Sequence, residues 1–398
     1  MWAFKRIDWS WSDWRFAVGQ CVAPLDLDAT LRSVESTWSP AGDALACFSV
    51  RSGFDLFLRA VKWTPGDEIV FTAYTHAHMP QIAREHGLRV RPVDIDPMST
   101  LPDLSDVEVA LTDRTRMVVF THLFGAQMDV SDLRALTSER GVLLMEDCAQ
   151  AYAGPEWRGH PDSDLALFSF GPLKTATALG GCLGRVRDEG TRNRMRDLRD
   201  GDPRQPVGEF LKRVLTYGAL HAVTDPGVFG LVADLAALVG RDHQVLGNKL
   251  TLAFPGSGLT GRIRRSPSAP LAGLLERRVR QGRDAVEPRI RAGERLLEAL
   301  GPQAPIPTGR HRPHAFWLVP VLVDKPQRLR ARLRKEGIDA MDGRSISVVS
   351  DDTGQAGALE GARRLHEGAV YLPFSPEMPP RLLEGMARTV LALLDGDA

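Results

Sequence analysis

Residues 165–184 read LALFSFGPLKTATALGGCLG, and the rest of the chain takes its place around them. The apolar run Leu165-Ala166-Leu167-Phe168-Ser169-Phe170 predicts a buried strand that Gly171-Pro172 ends. One lysine, Lys174, follows, then a small-residue segment closing on Gly180-Gly181, and a second apolar run begins at Cys182 and ends at Val186. The chain carries seven lysines against forty-three arginines, and Lys174 is the one set between apolar strands. A buried ammonium group is costly unless something neutralises it. One way is covalent, as a Schiff base with an aldehyde. The other reading is a strand-end lysine with its head in water, and its neighbours decide between the two.

Composition narrows the choice of function. A chain of 398 residues is long for one small core and predicts two domains. The expected division is an N-terminal arm over 1–20, a large α/β domain over 21–265 and a small α+β domain over 266–398. Lys+Arg equals Asp+Glu, which gives no basic surface for a nucleic-acid partner. The cysteines at 21, 47, 148 and 182 are too widely spaced for a metal site and read as reduced, buried side chains, so no metal is expected. Charges and tryptophans occupy the N-terminal MWAFKRIDWSWSDW where a signal peptide needs an apolar core. No apolar run reaches the roughly 18 residues of a membrane span. The expectation is a cytoplasmic protein without a transmembrane segment.

Working outward, strands and helices alternate from about residue 45. Ala46–Val50 leads into Arg51-Ser52-Gly53, and Ile69–Phe71, Leu88–Ile95, Met117–Phe120 and Val142–Met145 read as strands, the last closing on Glu146-Asp147. Helices are expected at Phe54–Trp63, Thr75–His86 and Val130–Arg140. This βα rhythm predicts a mostly parallel sheet, with a ligand beyond the carboxyl ends of its strands. The alternation Ile7-Asp8-Trp9-Ser10-Trp11 suits a short strand or a docking arm. From 188 to 265 the pattern weakens: Arg192–Arg199 reads as a solvated basic helix, and Phe210–Leu220 and Val228–Val239 as packing helices, with membrane-surface contact the minor reading. Leu271–Leu300 reads as helical, Ala315–Val323 as strand, Pro326–Glu336 as a helix ending at Gly337, Ala369–Leu372 as strand and Pro380–Leu394 as helix. His311 and His314 read as surface residues.

Several segments together resemble the sugar aminotransferases of the DegT/DnrJ/StrS family. They are PGDEIVFTAYTHAH (65–78), VRPVDID (90–96), THLFGAQMDV (121–130), LLMEDCAQAYAG (143–154) and LFSFGPLKTATALGGCLG (167–184). The last two are the specific ones: Asp147 and Gln150 in Asp-x-x-Gln, then Ser169 five positions before Lys174, then a Gly-Gly. The resemblance covers about 45–190 and 310–395, weakly in the second stretch. It implies the aspartate aminotransferase-like fold (fold type I), pyridoxal 5′-phosphate (PLP) as cofactor, and a homodimer with active sites at the interface. By position, Lys174 would hold the cofactor as a Schiff base and later carry the substrate proton. Asp147 would pair with the ring nitrogen, where an isolated strand-end Asp would otherwise read as a helix cap. Gln150 would lie near the ring hydroxyl. His76 falls where the family stacks an aromatic ring on the cofactor, a helix cap being its other reading. Gly53, the Phe54 amide and Ser169 would hold the phosphate.

The chain also departs from the family pattern. Phe54 stands where a threonine is usual, leaving Ser52 as a stand-in hydroxyl. The Asn-Tyr-Arg-Met segment that crosses the dimer has its nearest counterpart in Gly261–Ser266, which offers Arg264 and Arg265 to a substrate. Arg344 lies where the family has a sugar-contacting His-Tyr segment and can meet a substrate anion or only solvent. His122, after a strand, reads either as lining the site or as a core histidine bonded to backbone. The implied activity is transfer of an amino group from glutamate or glutamine to a nucleotide-linked keto-sugar or a cyclitol. The alternatives are a dehydratase or other PLP enzyme on the same fold, or a catalytically silent binding or regulatory protein. Sugar 3-dehydratases of the family carry histidine in place of the lysine, so Lys174 counts against that subtype.

Overall fold

Apolar runs of four to seven residues bounded by turns leave the backbone no partner but a neighbouring strand, and seven of them pair that way in one sheet. The computed structural model describes residues 6–23, 25–225, 227–229, 258–343 and 346–395. Its first strands are β1 (Ala44–Cys47), β2 (Glu68–Thr72), β3 (Tyr74–Thr75), β4 (Arg89–Val93), β5 (Thr115–Thr121), β6 (Leu143–Asp147), β7 (Leu165–Ser169) and β8 (Cys182–Val186). All but β3 form one sheet in the order β1-β8-β7-β6-β5-β2-β4. The β4-β2-β5-β6-β7 part is parallel, and β8 and β1 close the edge antiparallel. Both faces are covered, which is why these strands read as continuous apolar runs. Leu165 and Leu167 face one cluster with the Val50–Val61 helix, while Ala166 and Phe168 face another with Trp38 and the Ala269–Arg280 helix.

Farther along lie β9 (Val319–Leu322), β10 (Met341–Asp342), β11 (Ser347–Val348) and β12 (Ala369–Leu372). An antiparallel sheet β10-β12-β9 carries its own core, with Leu296, Val321, Leu333 and Val390, against the Glu287–Leu300 and Pro380–Asp395 helices. β11 instead crosses to pair with β3 of the first half. This is the α/β fold expected, with a large mostly parallel sheet and a small α+β unit.

Of the two readings of residues 7–11 the packed arm holds, with Ile7 and Trp9 buried, and a helix follows at Trp11–Val22, where Ser10 caps it and Asp13 closes a capping box. Several local expectations change. The Thr75–His86 helix begins only at His78, since Tyr74 and Thr75 are spent on β11. Ala315–Leu318 is not strand: the Ala315 and Leu318 N–H groups donate to Gly125 O and Phe124 O at 2.7 and 3.0 Å. Leu271–Leu300 breaks after Arg280, and its two helices feed different cores. The basic Glu189–Gly201 helix is not wholly solvated, because Arg199 is buried with Glu35 Oε1 at 2.7 Å. His314 is buried as well, in contact with Thr308 and the Phe316 ring. Of the expected helix 228–239, all but its first two residues lie outside the described residues.

Candidate active site

Parallel strands point their carboxyl ends to one edge, and Asp147 and Ser169 are the last residues of β6 and β7. Asp147 is buried, and its Oδ1 accepts the Ala149 N–H at 3.0 Å. Lys174 sits in the loop joining β7 to β8. That loop is tied to itself: Lys174 N–H and Thr177 Oγ1–H donate to Gly171 O at 3.0 and 2.7 Å, while Ala178 and Gly180 N–H meet on Phe170 O. Ala176 and Leu179 take left-handed backbone angles, with φ of 52° and 60°, so the turn holds one shape at some cost.

Trp317 completes the lysine's surroundings. Its indole N–H donates to Leu173 O at 2.7 Å, and Lys174 Nζ lies 3.7 Å from its ring centre. Gly125 makes this approach feasible: at φ +112° its missing Cβ would lie 2.6 Å from Trp317 N. Sequence reasoning passed over Trp317 as a site residue, although it falls inside the weakly matching stretch 310–395.

Electrostatics set the protonation of these groups. Burial pulls the Lys174 amine down to about 7; Asp147 opposes this and Arg51 adds to it. Burial raises Asp147, against the Ala149 N–H and the charges of Lys174, His122 and Arg51. Arg51 was also missed. It stands in the first turn of the Val50–Val61 helix, lowered to about 10 by burial with Asp147 opposing. Its Nη2 lies 2.9 Å from His76 Nε2. Burial, then Arg51, His78 and Lys174, hold His76 well below its ordinary range. The available signal was position: Arg51 directly precedes Ser52-Gly53.

Other expected site residues are engaged inside the chain. The Gly53 N–H donates to Ser49 O at 2.9 Å, and its Cα faces Leu167 and Cys47. Phe54 is core, edge-on to Phe71. Ser52 Oγ donates to Ile263 O at 2.7 Å. Ser169 Oγ accepts the Gly171 N–H at 3.3 Å, which leaves its O–H to donate. Gln150 Oε1 accepts the Phe124 N–H at 2.9 Å and so shapes the loop after β5. His122 is fully buried: Nδ1 accepts the Met128 N–H at 3.1 Å and Nε2 lies 2.8 Å from Glu146. His122, Glu146 and Cys148 bring ligand atoms within 4.8 Å of one another, with both ring nitrogens of His122 already spent. Arg264 is paired to Asp55 at 3.0 Å and Arg265 to Glu209 at 2.6 Å. Arg344 lies outside the described residues.

A lowered amine, a buried carboxylate and a cationic helix start thus meet at one edge of a parallel sheet. Residues 36–243, just over half of the chain, match the family model described as the DegT/DnrJ/EryC1/StrS aminotransferase family. The chain belongs to this family. That family is one of PLP-dependent aminotransferases. The chain is 32% identical over 170 residues to a pleiotropic regulatory protein of Geobacillus stearothermophilus, covering 42% of this chain and 44% of that one. It is 34% identical over 191 residues to a dTDP-3-amino-3,4,6-trideoxy-alpha-D-glucose transaminase of Micromonospora megalomicea subsp. nigra, covering 46% and 50%. The chain thus spans about half the length of the curated relatives it matches. The aminotransferase TlmJ of Streptoalloteichus hindustanus shares the fold with a TM-score of 0.72 at 20% identity, over 100% of both chains.

The residues present fit the family's cofactor. An amine lowered to about 7 has a large free, nucleophilic fraction near neutrality. Asp147 keeps a second carboxylate oxygen beyond the one given to Ala149 N–H. Lys174, Arg51 and Arg262 all act on the His76–His78 pair, a positive field suited to a phosphate.

Proposed function

We propose that the enzyme transfers an amino group from an amino acid donor, glutamate or glutamine, to a ketone on a nucleotide-linked sugar or a cyclitol, in glycan or natural-product biosynthesis. The observation that carries this reading is the placement of Lys174, in the loop joining β7 to β8, with buried Asp147 at the carboxyl end of β6, two groups whose charges act on each other. Bound pyridoxal 5′-phosphate supplies an electron-withdrawing ring, which eases loss of a proton from the carbon bearing the amine. Lys174 would hold the cofactor through its aldehyde, and its Nζ, when free, would carry that proton. Asp147 keeps the ring nitrogen protonated. Ser169 would donate its hydroxyl to the phosphate, Gln150 would orient the ring, and Trp317 covers one side of the amine. The proposed assembly is a homodimer, as the resemblance implies.

The test is a visible spectrum of the purified protein with PLP, followed by addition of candidate donors. A yellow band that shifts with glutamate or glutamine is expected, and Lys174→Ala is expected to abolish turnover. Turnover surviving in Lys174→Ala would remove the assignment. The engagement of Arg264 and Arg265 within their own chain favours a second reading, a silent cofactor-binding protein. That reading requires a band that ignores every donor.

A further inference from the structure

His76 is asked for more than an imidazole can give. Its Nδ1 accepts the backbone N–H of His78 at 3.2 Å. A neutral imidazole has one lone pair and one N–H, so the proton belongs on Nε2. Arg51 Nη2 nevertheless stands 2.9 Å from that Nε2, and a guanidinium only donates. N–H therefore faces N–H. The other tautomer moves the conflict to the His78 amide, and a second ring proton adds a charge beside Arg51. An anionic oxygen lying against both groups resolves the conflict, because it accepts from Arg51 and from His76 Nε2–H together.

Position indicates which anion. Arg51 belongs to the first turn of a 12-residue helix whose leading N–H groups favour negative charge. Ser49 Oγ takes the Ser52 N–H, which leaves the Val50 and Arg51 amides heading the helix. The hydroxyls expected of this turn serve other ends: Phe54 has none, and Ser52 donates to Ile263 O. Arg262 adds positive charge toward His78. A guanidinium donates in a fork matched to phosphate oxygens and supplies what the missing hydroxyl does not.

We propose that Arg51, with His76 Nε2–H as second donor, binds the phosphate monoester of the cofactor. This rests on the reading that the site holds PLP, and the experiment separates the two. Apoprotein, Arg51→Gln and Arg51→Lys are titrated with pyridoxal 5′-phosphate and with pyridoxal, which lacks the phosphate, by absorbance and by tryptophan quenching. Arg51→Gln is expected to lose about ten- to a hundredfold in PLP affinity, the range of a hydrogen bond to a charged group. Its pyridoxal affinity is expected to stay unchanged, Arg51→Lys to recover part of the loss, and inorganic phosphate to compete with PLP in the native protein more strongly than in Arg51→Gln. Equal losses for both ligands would overturn the proposal, whether they came from a ring contact or from a loosened fold. An unchanged PLP affinity with a raised KM for the amino donor would overturn it too, and assign Arg51 to the donor carboxylate. Native protein that binds neither ligand would instead defeat the functional reading itself.

Discussion

Lys174 titrates where its chemistry needs it. With a pKa of about 7, the free amine rises about tenfold between pH 6 and pH 8 and then levels off. An ordinary lysine near 10.4 would rise about a hundredfold over that interval and keep rising. The rate of PLP uptake by the apoprotein is expected to follow the first curve. Asp147 raises this pKa, so Asp147→Asn is expected to move the inflection to lower pH, retain cofactor binding and lose most activity. An unmoved inflection would mean that the two side chains do not sense each other. Asp147 was legible as a candidate because it closes an apolar run, and Lys174 because it is the one lysine set between two such runs. Arg51 and Trp317 were not, because their places depend on where a helix begins and on contacts more than a hundred residues away.

At the scale of elements, Gly125 decides where the Ala315–Leu318 segment goes. Its φ of +112° disfavours any side chain, and a Cβ there would press on the backbone of Phe316 and Trp317 at 2.7 and 2.6 Å. Gly125→Ala is expected to cost about 1–3 kcal/mol, measured by urea unfolding. It is also expected to change Trp317 emission by lifting the indole from Lys174. An unfolding midpoint equal to that of the native protein would show that the segment relaxes freely. The strands of the large sheet were readable because both of their faces are buried. Ala315–Leu318 was misread as strand because apolar content reports burial, not the destination of N–H groups, which here is the Phe124-Gly125 turn.

Across the whole molecule, Asp13 fastens the N-terminal helix to the body through Arg277 Nε at 2.8 Å and Arg278 Nη1 at 2.9 Å. Burial alone would raise this carboxyl; Arg278, Ser10 and Arg277 overcome it and hold it at about 2. A folded pKa below the unfolded value of 3.8 gives stability that is present above pH 4 and lost as pH falls toward 2. Asp13→Asn is expected to destabilise by about 1–3 kcal/mol at pH 7. Its urea midpoint is expected to converge on the native one between pH 4 and pH 2. A constant gap across that range would assign the loss to packing. The capping box was present in the sequence as Ser10 and Asp13, but the tryptophan alternation around it suits a short strand as well as an arm, and the arginines that anchor Asp13 come more than 260 residues later.

The indole over Lys174 arrives late in synthesis: its bond to Leu173 spans 144 positions. The lysine loop therefore leaves the ribosome bare and gains its roof only when the far half of the chain docks. In refolding, the large sheet is expected to register by circular dichroism before the protein retains a chromophore, and the lag between the two signals times that docking.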